Sequence, residues 1–144
     1  MRTIAVPLTL INLNDDGFHL LVEITVFGSK YWAVVDTGAS RSVFDKSFIE
    51  LNSGDSVTAA EDNNATTLFT TSATIQAVIP KLKIGKLSIK SYPAVALDLE
   101  TVNEAYTQLG HPRVIAIIGS DIFYRYHAKI NYKKLKIFFS QKQG

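Results

Sequence analysis

The 144-residue chain contains no cysteine, one tryptophan, one methionine and four prolines. Without cysteine there is no disulfide, no thiolate nucleophile and no thiolate zinc site, so a packed core has to carry the fold. Long apolar runs are missing as well, because no stretch reaches the about 18 residues that a membrane-spanning helix needs. Met1 to Ile11 is broken by Pro7 and followed by no small-residue cleavage site, so it fits a signal sequence poorly and a cytoplasmic location is expected. Charge of one sign is scarce: a net +2 gives no reason to expect nucleic acid or membrane as partner. Lys129, Lys133, Lys134 and Lys136 read as a solvated face. His19, His111 and His127 lack metal-ligand spacing and read as surface or partnered residues, and no Gly-rich phosphate loop occurs. With 47% hydrophobic and 19% charged residues, the composition is that of a globular protein, and the length suits one domain over 1–144.

What is present is β pattern. Ile4, Val6, Leu8 and Leu10 alternate with Thr3, Ala5, Pro7 and Thr9, the period of a half-buried strand. Asn14-Asp15-Asp16-Gly17 is a turn, and Phe18, Leu20, Val22, Ile24 and Val26 alternate after it. Gly28-Ser29-Lys30 predicts a turn into the apolar run Trp32 to Val35. Leu82, Ile84, Leu87 and Ile89 flank Gly85-Lys86 as a second hairpin, and Leu135 to Phe139 closes the chain as a strand. Helix is sparse, with candidates over Asp45 to Leu51, Glu100 to Leu109 and Asp121 to Tyr126, the last capped by Ser120 or Asp121. Asn52 to Ala65 is the one long polar segment and reads as a mobile connection.

Trp32-Ala33-Val34-Val35 delivers a carboxylate, Asp36, from a buried strand into the turn Thr37-Gly38-Ala39-Ser40. In one reading Asp36 merely opens a turn, its side chain accepting a backbone N–H two residues on. In the other it is a peptidase carboxylate, with Gly38 letting the backbone approach and donate, and Thr37 bracing the turn. Gly38-Ala39-Ser40-Arg41-Ser42 fails the Gly-x-Ser-x-Gly elbow at its last position. An aspartate-nucleophile phosphatase wants a second acid where Gly38 stands.

Val114 to Ile118 is a second buried strand, and it ends in Gly119-Ser120-Asp121 before a helix start. The strand, the Asp36-Thr37-Gly38-Ala39 turn and the later Ile117-Ile118-Gly119 resemble, in that order, the retropepsin-like aspartic peptidases, and the stretch from Ile118 to Phe139 is similar to their single-domain bacterial members. The resemblance covers Phe18 to Phe139. It implies an all-β architecture, a small closed β barrel of the retropepsin/acid-protease type with one or two short helices. It further implies Asp36, Thr37 and Gly38 as the catalytic turn, with Ala39, Ser40, Ile117, Ile118 and Gly119 at the substrate. A flap is implied near Thr66 to Ala73, carrying Phe69 over the peptide.

Two features depart from retroviral members. Thr66 to Thr74 holds no glycine, and Ser120-Asp121 replaces their Arg followed by Asn or Asp, which suggests an ion pair of reversed polarity between Arg41 and Asp121. Aspartic peptidases need two carboxylates sharing a proton, and the chain has a single Asp-Thr-Gly. The resemblance therefore implies a homodimer with one Asp36 from each subunit, acting on extended peptides through activated water without cofactor or metal. The apolar terminal strands, as unpaired edges, would suit such an association. The alternative is a catalytically silent domain of the same fold that dimerises or binds peptides.

Overall fold

A computed structural model describes residues 1–53, 58–66 and 71–142, with the backbone alone for 58–66 and 71–74. The elements run β1 (Arg2–Asn12), β2 (Phe18–Val26), β3 (Ser29–Val35), β4 (Val43–Asp45), α1 (Lys46–Ser53), β5 (Thr58–Thr66), β6 (Thr71–Ile84), β7 (Leu87–Leu97), α2 (Glu100–Gln108), β8 (Ala116–Ile118), α3 (Ser120–Arg125), β9 (Lys129–Asn131) and β10 (Lys136–Gln141). Neighbouring strands follow the order β5-β6-β7-β4-β8-β3-β2-β1-β10-β9, and β2 also pairs with β6. That extra pairing closes β2, β3, β8, β4, β7 and β6 into a six-stranded barrel, while β5 and the β1-β10-β9 wing extend from it. The barrel is all-β, and the three short helices lie outside its ladders. Among the described residues no helix is long and apolar enough to cross a membrane.

Alternation builds the interior. Leu20, Val22, Ile24 and Val26 of β2 meet Ala33, Phe44, Ala116 and Ile118 inside the barrel. The opposite faces of β2, β3 and β8 carry Leu21, Val34 and Ile117 into a second cluster beneath α2. This second layer explains a departure from the sequence pattern: Leu10 is 40% exposed whereas Ile11 is buried. Ile11 faces α2, and a single alternating stripe cannot register a sheet buried on both sides.

Local chemistry sets the turns. Val26 pairs with Ser29, so the β2–β3 connection is the two-residue turn Phe27-Gly28, one residue earlier than the sequence suggests, and both residues have positive φ. Asn14 and Asp15 also adopt positive φ, and the Asn12 side chain accepts the Asp15 N–H at 2.9 Å. A Cβ at Gly85 would come within 2.8 Å of Val6, and φ there is +58°, which ties the β6–β7 hairpin to glycine. Asp45 precedes α1 and accepts the Phe48 N–H, while its other oxygen accepts the Leu99 N–H at 3.0 Å, joining α1 to the approach to α2.

Three expectations need correction. The apolar terminal strands are not unpaired edges, because β1 and β10 pair with one another from Arg2 opposite Gln141 to Pro7 opposite Lys136. Part of the polar segment is not loop: 58–66 forms an edge strand antiparallel to β6, where ladder hydrogen bonds override polar composition. Finally, neither Ser120 nor Asp121 caps α3 with its side chain. Gly119 occupies the cap position, and the Asp121 carboxylate is engaged elsewhere.

Candidate active site

Strand β8 lies between β3, to which it is parallel, and β4, to which it is antiparallel. The chain therefore leaves β3, turns across the end of β8 and returns as β4 on its far side. Asp36 is the first residue of that turn. Its N–H donates to the Ile118 carbonyl at 2.9 Å, which extends the β3–β8 ladder by one bond and fixes where the side chain emerges. The carboxylate is exposed, and Oδ1 accepts the Gly38 N–H at 3.0 Å while the Ala39 N–H donates to the Asp36 carbonyl at 3.1 Å. The local bond of the plain turn reading thus forms, on a residue that stays exposed. The Thr37 side chain is exposed too and makes no hydrogen bond among the described residues.

The second glycine turn docks against the first. The Ser120 N–H donates to the Ala39 carbonyl at 2.8 Å, and the Ser120 hydroxyl reaches the Ser40 carbonyl at 3.4 Å. Gly119 is buried, and its N–H donates to the Ser42 hydroxyl at 2.8 Å. Asp36, Thr37, Gly38, Ala39, Ser40, Ile117, Ile118 and Gly119 therefore occupy one end of the barrel, with Ile118 pointing inward and Ile117 half-buried on the other sheet face. Phe69 lies outside the described residues, and so does part of the expected flap.

A network absent from the sequence reading holds the two turns. Ser42 is fully buried; its N–H and hydroxyl both donate to Asp121 Oδ1, at 2.8 and 2.7 Å, and the Tyr92 hydroxyl donates to Oδ2 at 2.7 Å. Burial, and then the hydrogen bond to the Asp121 carboxylate, push the Tyr92 phenol well above its ordinary range. The Arg41–Asp121 ion pair does not form. Arg41 instead donates to the Pro93 carbonyl at 3.1 Å, because Asp121 is already satisfied by neutral donors.

On the outer face, His19 Nδ1 lies 2.6 Å from the Tyr106 hydroxyl, and His111 Nε2 lies 2.6 Å from the Asn12 carbonyl. Burial, with a smaller contribution from the Asp36 charge, pushes the Tyr106 phenol up to about 12. His127 is exposed. Among the described residues no group of three or more His, Asp or Glu side chains is placed to hold a metal ion.

A barrel whose glycine turn presents an aspartate beside a second glycine turn is the architecture of acid-protease folds. Residues 22–122 match the aspartyl protease family, and the chain belongs to that family. Its fold is similar to the crystal structure of a retropepsin-like aspartic protease from Rickettsia conorii, with a TM-score of 0.60 and 17% identity over 96% of this chain and 89% of that one. The retroviral protease-like domain of Ddi1 from Leishmania major aligns with a TM-score of 0.49 and 17% identity, covering 80% of this chain and 82% of that one. No curated protein matches the sequence.

Proposed function

We propose that residues 1–144 act as one aspartic endopeptidase domain that works as a homodimer on extended peptides. The observation that carries this reading is the exposed Asp36, its carboxylate held by the Gly38 N–H on a turn packed against Gly119, in a member of the aspartyl protease family. One chain supplies one such carboxylate. A twofold axis beside the exposed turn brings two together, and carboxylates that close cannot both ionise, so they share a proton.

The ionised member takes a proton from water as the water oxygen bonds to the scissile carbonyl carbon, and the protonated member gives its proton to the carbonyl oxygen. Collapse of the tetrahedral diol breaks the C–N bond, and the departing nitrogen receives a proton from the dyad. In the same step the other member takes a proton from a diol hydroxyl, which becomes the carbonyl of the acid product, so each carboxylate ends as it began. Gly38 and Ala39 supply the rigid backbone around Asp36, Ser40 and Ile117 border the peptide, and Gly119 with Ile118 holds the turn in place. No cofactor takes part.

Incubating the purified protein with a diverse peptide mixture from acid to neutral pH, and sequencing the products by mass spectrometry, tests the proposal. Cleavage that is absent from Asp36→Asn supports it. Peptide binding without cleavage by the wild type would favour the silent module instead.

A further inference from the structure

The sheet face from which Asp36 emerges is already built over behind the carboxylate. Alternation along β3 puts Asp36 on the side of Val34, away from the barrel interior that takes Ala33. The β2–β3 register, continued one step past Leu20 opposite Val35, sets His19 opposite Asp36. Over this face lies α2, and its Tyr106, 3% exposed, packs with Val34, Leu21 and Val114 while Ile117 borders the cluster. The Tyr106 ring stands edge-on to His19 at 5.8 Å between centroids, with its hydroxyl on the imidazole. The helix itself is clamped: the buried Asn103 side chain donates to the Val114 carbonyl at 3.0 Å and accepts the Val114 N–H at 2.8 Å.

A peptide lying extended across Asp36 turns alternate side chains toward the sheet. The side chain beside the scissile bond that would turn toward Val34 and Ile117 finds that face already covered by α2, with the buried Tyr106 ring filling the space that a pocket would need. We infer that Tyr106 closes the side-chain pocket next to the cleaved bond, so that this peptidase selects peptides with small residues, Gly, Ala or Ser, flanking that bond. The inference rests on the peptidase reading above. By the twofold symmetry of a homodimer, one Tyr106 meets the residue on each side.

The experiment compares cleavage-site profiles of wild type, Tyr106→Ala and Tyr106→Leu on one peptide mixture, with each variant's fold checked by thermal melting. In parallel, peptides with Ala-Ala or Phe-Phe at the centre are titrated against Asp36→Asn protein, with and without Tyr106→Ala, reading the fluorescence of Trp32, the sole tryptophan, which borders the Tyr106 cluster. Wild type is expected to favour small flanking residues by about tenfold or more, the scale on which a filled apolar pocket discriminates by size. The truncated variants should lose most of that preference and cut beside Leu or Phe. Tyr106→Phe, which keeps the ring and drops the hydroxyl, should keep the preference. Wild-type cleavage at bonds flanked by Leu or Phe as readily as by Ala overturns the inference even if every Tyr106 variant unfolds. Small-residue preference in binding without any cleavage leaves the inference standing and sinks the peptidase reading. Absence of both cleavage and binding sinks both.

Discussion

The carbonyl oxygen of Ala39 lies 2.5 Å from where a Cβ on residue 119 would project, and the Ala39 Cβ lies 3.0 Å from the same point. Gly119 is therefore required by close approach and not by backbone conformation, since its φ of −121° suits any residue. Gly119→Ala must separate the Asp36 turn from the α3 turn or displace Ala39. The expected loss is about 1–3 kcal/mol, as for other overpacked sites, and the Ser120 N–H bond to Ala39 should weaken with it. Thermal melting checks the stability and peptide hydrolysis checks the turn. A variant with unchanged melting would mean the two turns separate freely.

Ser42 ties both turns to Asp121 at once. Ser42→Ala leaves the buried Gly119 N–H without its acceptor and removes one of the donors to Asp121 Oδ1. An orphaned buried donor costs about 1–3 kcal/mol, so chemical denaturation should show a loss in that range. Ser42→Thr keeps the hydroxyl and should recover part of it. If alanine proved neutral, water would be substituting for the hydroxyl at Gly119.

These two predictions mark what was legible in the sequence. Asp36-Thr37-Gly38 and Ile118-Gly119 could be read because each glycine stands at or just past the end of a contiguous apolar run, and their pairing follows from the family's order. Ser42 and Asp121 are 79 residues apart, and nothing in either neighbourhood announces that a serine, and not Arg41, will satisfy the carboxylate. The hydroxyls won because Asp121 lies against Ser42 and Tyr92, whereas Arg41 reaches outward to Pro93. The placement of α2 was illegible for a related reason. Its segment reads as helix, but only tertiary packing against Ile11, Leu21 and Val34 shows that it roofs the face carrying Asp36.

The two raised tyrosines make stability fall in alkali. Both phenols are held neutral in the folded chain, whereas unfolded tyrosine loses its proton near about pH 10. Above that point the unfolded state binds fewer protons than the folded one, so stability declines with rising pH. For Tyr106 the window runs from its ordinary value to about 12, and for Tyr92 it extends higher. Denaturation midpoints measured through this range should fall less steeply in Tyr106→Phe and Tyr92→Phe than in wild type. Below the window neither tyrosine contributes a slope. Identical slopes in all three proteins would assign the alkaline loss to other groups.

Asp36→Asn should leave the fold intact and abolish hydrolysis. The substituted side chain can still accept the Gly38 N–H through its remaining carbonyl oxygen, so the turn keeps its brace, but it cannot share or move the proton. This variant also tests the dimer. In the proposed homodimer the ladder shared by β1 and β10 is not available to the partner, and a shared proton requires the exposed stretch from Asp36 to Gly38 to lie close to the twofold axis. When equal amounts of wild type and Asp36→Asn exchange subunits freely, about half the dimers are mixed and about a quarter are wild type, by twofold statistics. If both carboxylates are needed, activity drops to about half that of the wild-type protein added. Specific activity of wild type alone should also rise with concentration and then plateau. Mass-tagged subunits establish that exchange has occurred, and initial rates are then compared before and after it. Undiminished activity in a fully exchanged mixture would show that a single Asp36 suffices, and the shared-proton mechanism would have to be given up.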